Sequence, residues 1–425
     1  MTPYSCMNTE QLAQEYHKVL ADFHRCKAQG LDLNMARGKP SRKQLDLVSG
    51  ILTSLVSSED CFDEGIDARN YGELAGLPCA RKYWAEILGC KAEQVFVGGA
   101  ASLNMMFDIV SRAYTHGLLH SPRPWCQEEK IKFLCPSPGY DRHFQIGEFY
   151  GAELISIPMT PEGPDMDMVE QYIQDPAVKM IWVVPKYSNP DGIIFSDRVI
   201  QRFAHLKPAA PDFAIIWDNA YCVHEFKGDY VPFPDILSIC QEAGNPDIVY
   251  EFASTSKITF AGGGISCMAA SQANINFFTG VFGVQMISYD KVNQLRHVRF
   301  LQNKAHTLGI MKLHASVMAP KFEVVSRYLR EQIAPLGFAH WNEPSGGYFV
   351  SLFTMPGTAR RVWQLCKEAG VTLTNAGATY PYGNDPSDSN LRIAPSLPPV
   401  QELEKAMEVL CTCLKLAALE KLLNH

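Results

Sequence analysis

The chain has 425 residues, 47% of them hydrophobic and 20% charged, with a formal net charge of -7. That length exceeds one ordinary small core and favours a large lobe with a smaller one. The acidic balance gives no electrostatic case for nucleic acid binding, and no run approaches the roughly 20 apolar residues that span a bilayer.

The first twenty residues, "MTPYSCMNTEQLAQEYHKVL", lack the basic flank and apolar stretch of a signal peptide. The 13 cysteines are odd in number and scattered, with no C-x-x-C pair and no zinc-ligand spacing. Free thiols in a reducing, cytoplasmic compartment are the expectation, with no metal site.

From Val95 onward, short apolar runs alternate with longer amphipathic stretches. The runs are "QVFVGG", "IKFLCP", "AELISIP", "KMIWVVP", "FAIIWDNA", "IVYEFAS" and "GISCMAAS". Continuous rather than alternating hydrophobicity marks strands buried on both faces. The intervening "SDRVIQRFAHL" opens on a cap-like Ser-Asp start and reads as a helix. The expectation is an α/β fold with a mainly parallel sheet of about seven strands, the last run pairing antiparallel.

Beyond it, a helical "APKFEVVSRYLREQI" leads to "GFAHWNEPSGGYFVSLF", a helix at "TARRVWQLCKEAG", then "LRIAPS" and a terminal helix. This reads as a smaller α+β domain. The expected division is 1–54 as an N-terminal segment packing with the small domain, 55–318 as the large domain, and 319–425 as the small one.

In open parallel sheets, ligands bind beyond the carboxyl ends of the strands. "VFVGGAAS" ends a strand in small residues before a helix, so Gly99, Ala100, Ala101 and Ser102 can offer backbone N–H groups to an anion. "CPSPGYDRHF" delivers Tyr140 on a loop, and "VVPKYSNPDG" ends its strand in Asn189-Pro190, a turn-former. "IIWDNAY" places Asp218 and Tyr221 just past bulky apolar residues, where a carboxylate needs a partner. "FASTSKITFAGGGIS" sets Lys257 among Ser254, Ser256 and three glycines, and "NLRIAPS" sets Arg392 between apolar residues. Singly, each has a plain reading as a turn, a packed ring, a structural ion pair or a solvated charge.

In order, Asn-Pro-x-Gly, Asp-x-x-Tyr, Ser-x-Ser-Lys and a late arginine resemble a class I aminotransferase of the pyridoxal-phosphate fold type I superfamily. "MARGKPS", "YGELAGLPCARKYWAEILG", "SKITFAGGG" and "KVNQLRHVRF" resemble its MocR-like and subgroup Ic aspartate aminotransferase branch, without a winged-helix domain.

The resemblance covers nearly the whole chain and implies pyridoxal 5'-phosphate as cofactor. It makes Lys257 the Schiff-base lysine, Asp218 the partner of the pyridinium nitrogen, and Tyr221 and Asn189 the partners of the phenolic oxygen. Tyr140 would stack on the ring. The phosphate would lie on Gly99 to Ser102 with the Ser254 and Ser256 hydroxyls. Tyr71, in "RNYGELAG", would reach it from the partner subunit of a homodimer with shared active sites. Arg392 and Gly38 would receive the substrate α-carboxylate.

The implied reaction is ping-pong transfer of an amino group from an L-amino acid, aspartate by resemblance, to a 2-oxo acid, 2-oxoglutarate. A lyase or decarboxylase using the same cofactor, and a non-catalytic aldimine-sensing module, are the competing readings. One position departs from the family pattern. Ile265 stands where an arginine commonly binds the phosphate, and Lys186 is the suggested replacement. For a distal carboxylate, Arg37, Arg142, Arg296 and Arg299 are equal candidates.

Overall fold

A computed structural model describes residues 2–424. Its main sheet contains β1 (Val95–Gly98), β2 (Lys132–Ser137), β3 (Glu153–Thr160), β4 (Gly163–Pro164), β5 (Val178–Val183), β6 (Ala214–Asp218), β7 (Val249–Ser254) and β8 (Ser266–Ala270). Their spatial order is β1-β8-β7-β6-β5-β2-β3-β4. Neighbours from β7 through β6, β5 and β2 to β3 run parallel. Strand β8 pairs antiparallel with both β7 and β1. The loop from Ser254 to Ser266 is too short for the dozen-residue crossover that a parallel return needs, so the chain turns straight back.

All seven anticipated runs form strands. The eighth strand, β4, is a two-residue antiparallel extension of β3, too short to leave a periodic signal. The continuous hydrophobicity has the expected cause. Along β6, Ile215 and Trp217 join one core cluster while Ala214 and Ile216 join another on the opposite face.

Helix α1 (Thr9–Ala28) opens the chain. Helices α2 (Ser102–Thr115) and α3 (Asp141–Phe149) follow β1 and β2, and α4 (Lys291–Leu301) follows the sheet. The long α5 (Lys304–Gln332) then leads to a three-stranded antiparallel sheet of β9 (His340–Trp341), β10 (Val350–Phe353) and β11 (Asn390–Ile393), and α6 (Val400–Leu423) closes the chain.

The N-terminal segment touches this smaller unit. Leu12, Val19 and Phe23 of α1 share a core with Leu410 and Leu414 of α6, and Leu33–Asn34 pairs parallel with Val371–Thr372. Residue 318 lies inside the continuous α5. Upstream, Ile310 and Met311 belong to the large core; Met318, Phe322 and Leu329 belong to the small one.

Candidate active site

The carboxyl ends of β1, β6 and β7 open onto one cavity of about 350 Å³, closed from the other side by Gly38, Phe349 and Arg392. Asp218 ends β6 and is 4% exposed. Its Oδ2 lies 3.1 Å from His143 Nε2 on α3, while Oδ1 is buried without a hydrogen-bond partner. The His143 ring is fixed by stacking on Trp182 at 4.7 Å and by the edge of Tyr140 at 5.0 Å. An unsatisfied buried carboxylate oxygen is costly, and Asp218 is among the residues that line the cavity. A protonated ring nitrogen would satisfy it.

Lys257 follows β7 and reaches the same cavity. Its Nζ lies 5.3 Å from the centroid of the Tyr221 ring and 5.7 Å from that of Tyr348. Burial pushes its pKa below the ordinary lysine value, and Asp218 opposes that shift. Burial likewise raises the Tyr221 phenol well above its usual range, with Tyr140 and Asp218 adding to it; the Tyr140 phenol is pushed up to about 12 by burial first and Asp218 second. The cavity thus holds a lysine biased toward the neutral amine beside phenols that keep their protons.

Ala101 and Ser102 line the cavity where α2 begins. Ala101 is the N-cap and has no polar side chain to cap with; Asn104 N donates to the Ala101 carbonyl at 3.2 Å, and the N–H groups of Ser102 and Leu103 have no capping side chain. Gly99 and Ala100 do not line it. Their carbonyls accept from Ser266 Oγ at 2.8 Å and Ser256 Oγ at 3.1 Å, tying the loop to β8 and to the lysine loop. Ser254 Oγ donates to Ser256 Oγ at 3.0 Å, and both serines face the cavity.

Arg392 sits on β11, with its side chain 6% exposed. Its Nη1 donates to Asp141 Oδ1 at 2.9 Å and to Asn189 Oδ1 at 3.3 Å, and its Cζ lies 4.8 Å from the Phe349 ring centroid. Gly38 lies against the same ring: a Cβ there would stand 2.7 Å from Phe349 Cζ, so a side chain would displace the arginine's support.

Tyr71 lies away from this cavity and is 81% exposed. Its loop is nonetheless fixed, because buried Lys291 Nζ donates to the carbonyls of Asn70 and Gly72 at 2.5 and 2.8 Å.

Two sequence expectations need correction. Lys186 does not replace the missing arginine. It is fully buried away from the cavity, 2.6 Å from Glu225, and donates to the carbonyls of Cys222 and Val231. Of the four arginines considered for a distal carboxylate, only Arg37 and Arg142 line the cavity. Arg296 is bonded to Asn293 and Arg299 to the Phe62 carbonyl.

Ile265 plays a backbone role. Its N–H donates to Thr255 Oγ1 at 2.9 Å and its carbonyl accepts from Thr255 N at 2.8 Å. Asn293 Nδ2 donates to the carbonyls of Gly263 and Gly264. The turn after Lys257 is thereby clamped without a charge. Sequence reasoning missed His143 and Asp141, although both lie in the "GYDRHF" stretch that supplied Tyr140. Their polarity at a helix start was the available signal.

An acid, an amine and a guanidinium converging at strand ends define an amino-group-transfer site of the fold type I class. The family model described as aspartate amino-transferase matches residues 7–425. An aspartate aminotransferase of Corynebacterium glutamicum is 45% identical over 98% of this chain and 96% of its own. The crystal structure of an aspartate transaminase from that organism superposes with a TM-score of 0.96, at 45% identity and 98% coverage of both chains. LysN, an alpha-aminoadipate aminotransferase from Thermus thermophilus, shares the fold at a TM-score of 0.71 and 18% identity, covering 95% of this chain and 98% of that one. The protein belongs to the aspartate aminotransferase family, whose members depend on pyridoxal phosphate.

Proposed function

We propose that the protein moves the amino group of L-aspartate to 2-oxoglutarate by a ping-pong cycle on pyridoxal 5'-phosphate. The observation that carries the reading is the free Oδ1 of Asp218, buried in one cavity with Lys257 and Arg392. When bound, the cofactor supplies an electron sink and an acceptor for the amino group.

The chain's residues do the rest. Asp218 would hold the cofactor's ring nitrogen through Oδ1, while His143 fixes its other oxygen. Tyr140 would offer its ring to the cofactor, and Tyr221 with Asn189 would donate to the cofactor's phenolic oxygen. The N-terminus of α2, with Ser102, Ser254 and Ser256, would receive the phosphate through neutral donors. Lys257, biased to the neutral amine, would take up the substrate Cα proton at Nζ and hold it for return. Arg392 grips the α-carboxylate.

The exposed yet anchored Tyr71 supports a homodimer in which each subunit completes its partner's phosphate site. Thirteen free cysteines favour a reducing, cytoplasmic setting; among the described residues no helix is long and apolar enough to cross a membrane.

The test is spectroscopic. Protein loaded with pyridoxal phosphate should absorb in the blue-violet, bleach with aspartate and recover its colour with 2-oxoglutarate. Absence of bleaching with every amino acid would sink the proposal. Release of pyruvate and ammonia without a 2-oxo acid acceptor would replace it with a lyase.

A further inference from the structure

Lys257 Nζ faces two aromatic rings. It lies 5.3 Å from the Tyr221 centroid and 5.7 Å from that of Tyr348, and the two rings stand 6.2 Å apart, inclined by only 19°. His224 meets both edge-on, at 5.6 and 6.0 Å. Burial first, and the charge of Lys257 second, hold His224 well below its ordinary pKa, so it adds no competing cation. Burial also raises the Tyr348 phenol, which keeps its proton.

Tyr348 is held by a chain of bonds whose directions are fixed. The Gly347 N–H donates to the His224 carbonyl at 2.9 Å and pins the loop before it. The Tyr348 hydroxyl accepts from Gln44 Nε2 at 3.0 Å. Gln44, in the short helix Arg42–Leu47, is fully buried. Its Oε1 accepts from the Ser41 N–H at 3.0 Å, which leaves Nε2 facing Tyr348 and, at 3.4 Å, His314 Nδ1. His314, on α5, donates through Nε2 to the Ile258 carbonyl at 3.0 Å, so its Nδ1 accepts. The chain starts in the N-terminal segment and ends on the residue after Lys257.

A buried amine is ready to accept a proton but poorly placed to keep one. Lys257 must do both, and Asp218, which favours its charged form, is assigned to the cofactor's ring nitrogen. We propose that Tyr348, held by Gln44, forms with Tyr221 an aromatic seat that stabilises the ammonium of Lys257 while it carries a proton. The inference deepens the proposed transamination and rests on Lys257 as its base. Ring faces attract a cation through their quadrupole, without a carboxylate that would tie the ammonium down. Tyr348 acts on the reacting nitrogen directly. Gln44 and His314 act through the Tyr348 ring and the Ile258 carbonyl, and are positioning residues.

The test follows Lys257 in the cofactor-free protein by competitive acetylation across pH, with its peptide quantified by mass spectrometry. Burial holds Tyr221, His224, Tyr348 and His314 around it in their neutral forms. Tyr348→Phe should leave the titration midpoint within about 0.3 pH unit, since the ring remains. Trifluoro- and pentafluorophenylalanine at the same position should lower it stepwise, by about 0.5–1 pH unit in all, because fluorine drains the ring face at nearly constant volume. Gln44→Met, which frees the ring, should lower it by less. In the cofactor-loaded enzyme, single-turnover bleaching by aspartate should slow in the same order. A midpoint that ignores fluorination overturns the proposal, and so does one that moves as far in Tyr348→Phe, which would assign the effect to the hydroxyl. An unchanged midpoint in Gln44→Met overturns its positioning role, and bleaching that does not slow overturns the seat's part in proton transfer. A midpoint that steps down in a protein that transfers no amino group would remove the transaminase reading and leave the seat standing.

Discussion

Lys257 carries a cost in the folded chain that it does not carry in the unfolded one. Burial holds its pKa below 10.5, so between that lowered value and 10.5 the unfolded chain binds a proton that the folded chain lacks. Stability attributable to this group therefore rises as pH climbs through that window, and its penalty is largest below it. In the cofactor-free protein, Lys257→Met should melt higher than wild type near neutral pH, and the gap should close as pH approaches 10. Thermal melts across that range check it; a gap independent of pH would mean that the amine is not desolvated. Asp218, Tyr221 and Lys257 were legible in the sequence because each charged or polar group follows an apolar strand. The Asp141–Arg392 pair was not, since 251 positions separate its partners. Lys186 misled for a related reason: sequence displays a charge but not the direction it faces, and Glu225 claims it.

At the scale of elements, the first turn of α2 is the informative one. A helix with Ala101 as its N-cap forgoes a capping side chain, which ordinarily costs about 0.5–2 kcal/mol. The loss is intelligible if a phosphate completes the turn. Ala101→Asp should therefore raise the stability of the cofactor-free protein by about 1 kcal/mol and weaken pyridoxal phosphate binding, because its carboxylate would take the donors and repel the anion. Thermal melts and absorbance titration read the two effects separately. Unchanged cofactor affinity would place the phosphate elsewhere. The strands β1, β2 and β5 to β8 were readable because burial on both faces writes an uninterrupted apolar run, whereas β3, with Ser156 and Pro158 exposed, was readable from its apolar residues alone. Leu33–Asn34 was not readable as a strand: two residues carry no period, and its partner Val371–Thr372 lies far along the chain.

For the whole molecule, the exposed groups matter most. Tyr71 is 81% exposed, Val284 91% and Ile287 57%, an unusual display of large apolar groups for a lone subunit. The proposed shared-site homodimer would cover them, and complementation tests it. Tyr71→Ala and Lys257→Ala proteins, each impaired alone, should regain activity when unfolded together and refolded. Only a mixed dimer has one site with both residues intact, giving about a quarter of the wild-type sites after random pairing. No recovery in verified mixed dimers would show that Tyr71 serves its own subunit.

The antiparallel insertion of β8 between β1 and β7 has a consequence for how the chain is born. The glycine loop and α2 leave the ribosome early, but β1 has no neighbour until Ser266 arrives to pair with Gly98, 168 residues later. At about 5–20 residues per second that delay is roughly 10–30 s. Throughout it, the anion cup lacks the strand that fixes it, and the lysine loop does not yet exist. A nascent chain released before residue 266 should therefore fail to retain cofactor, and one extended through Ala270 has for the first time both sides of the cup in register.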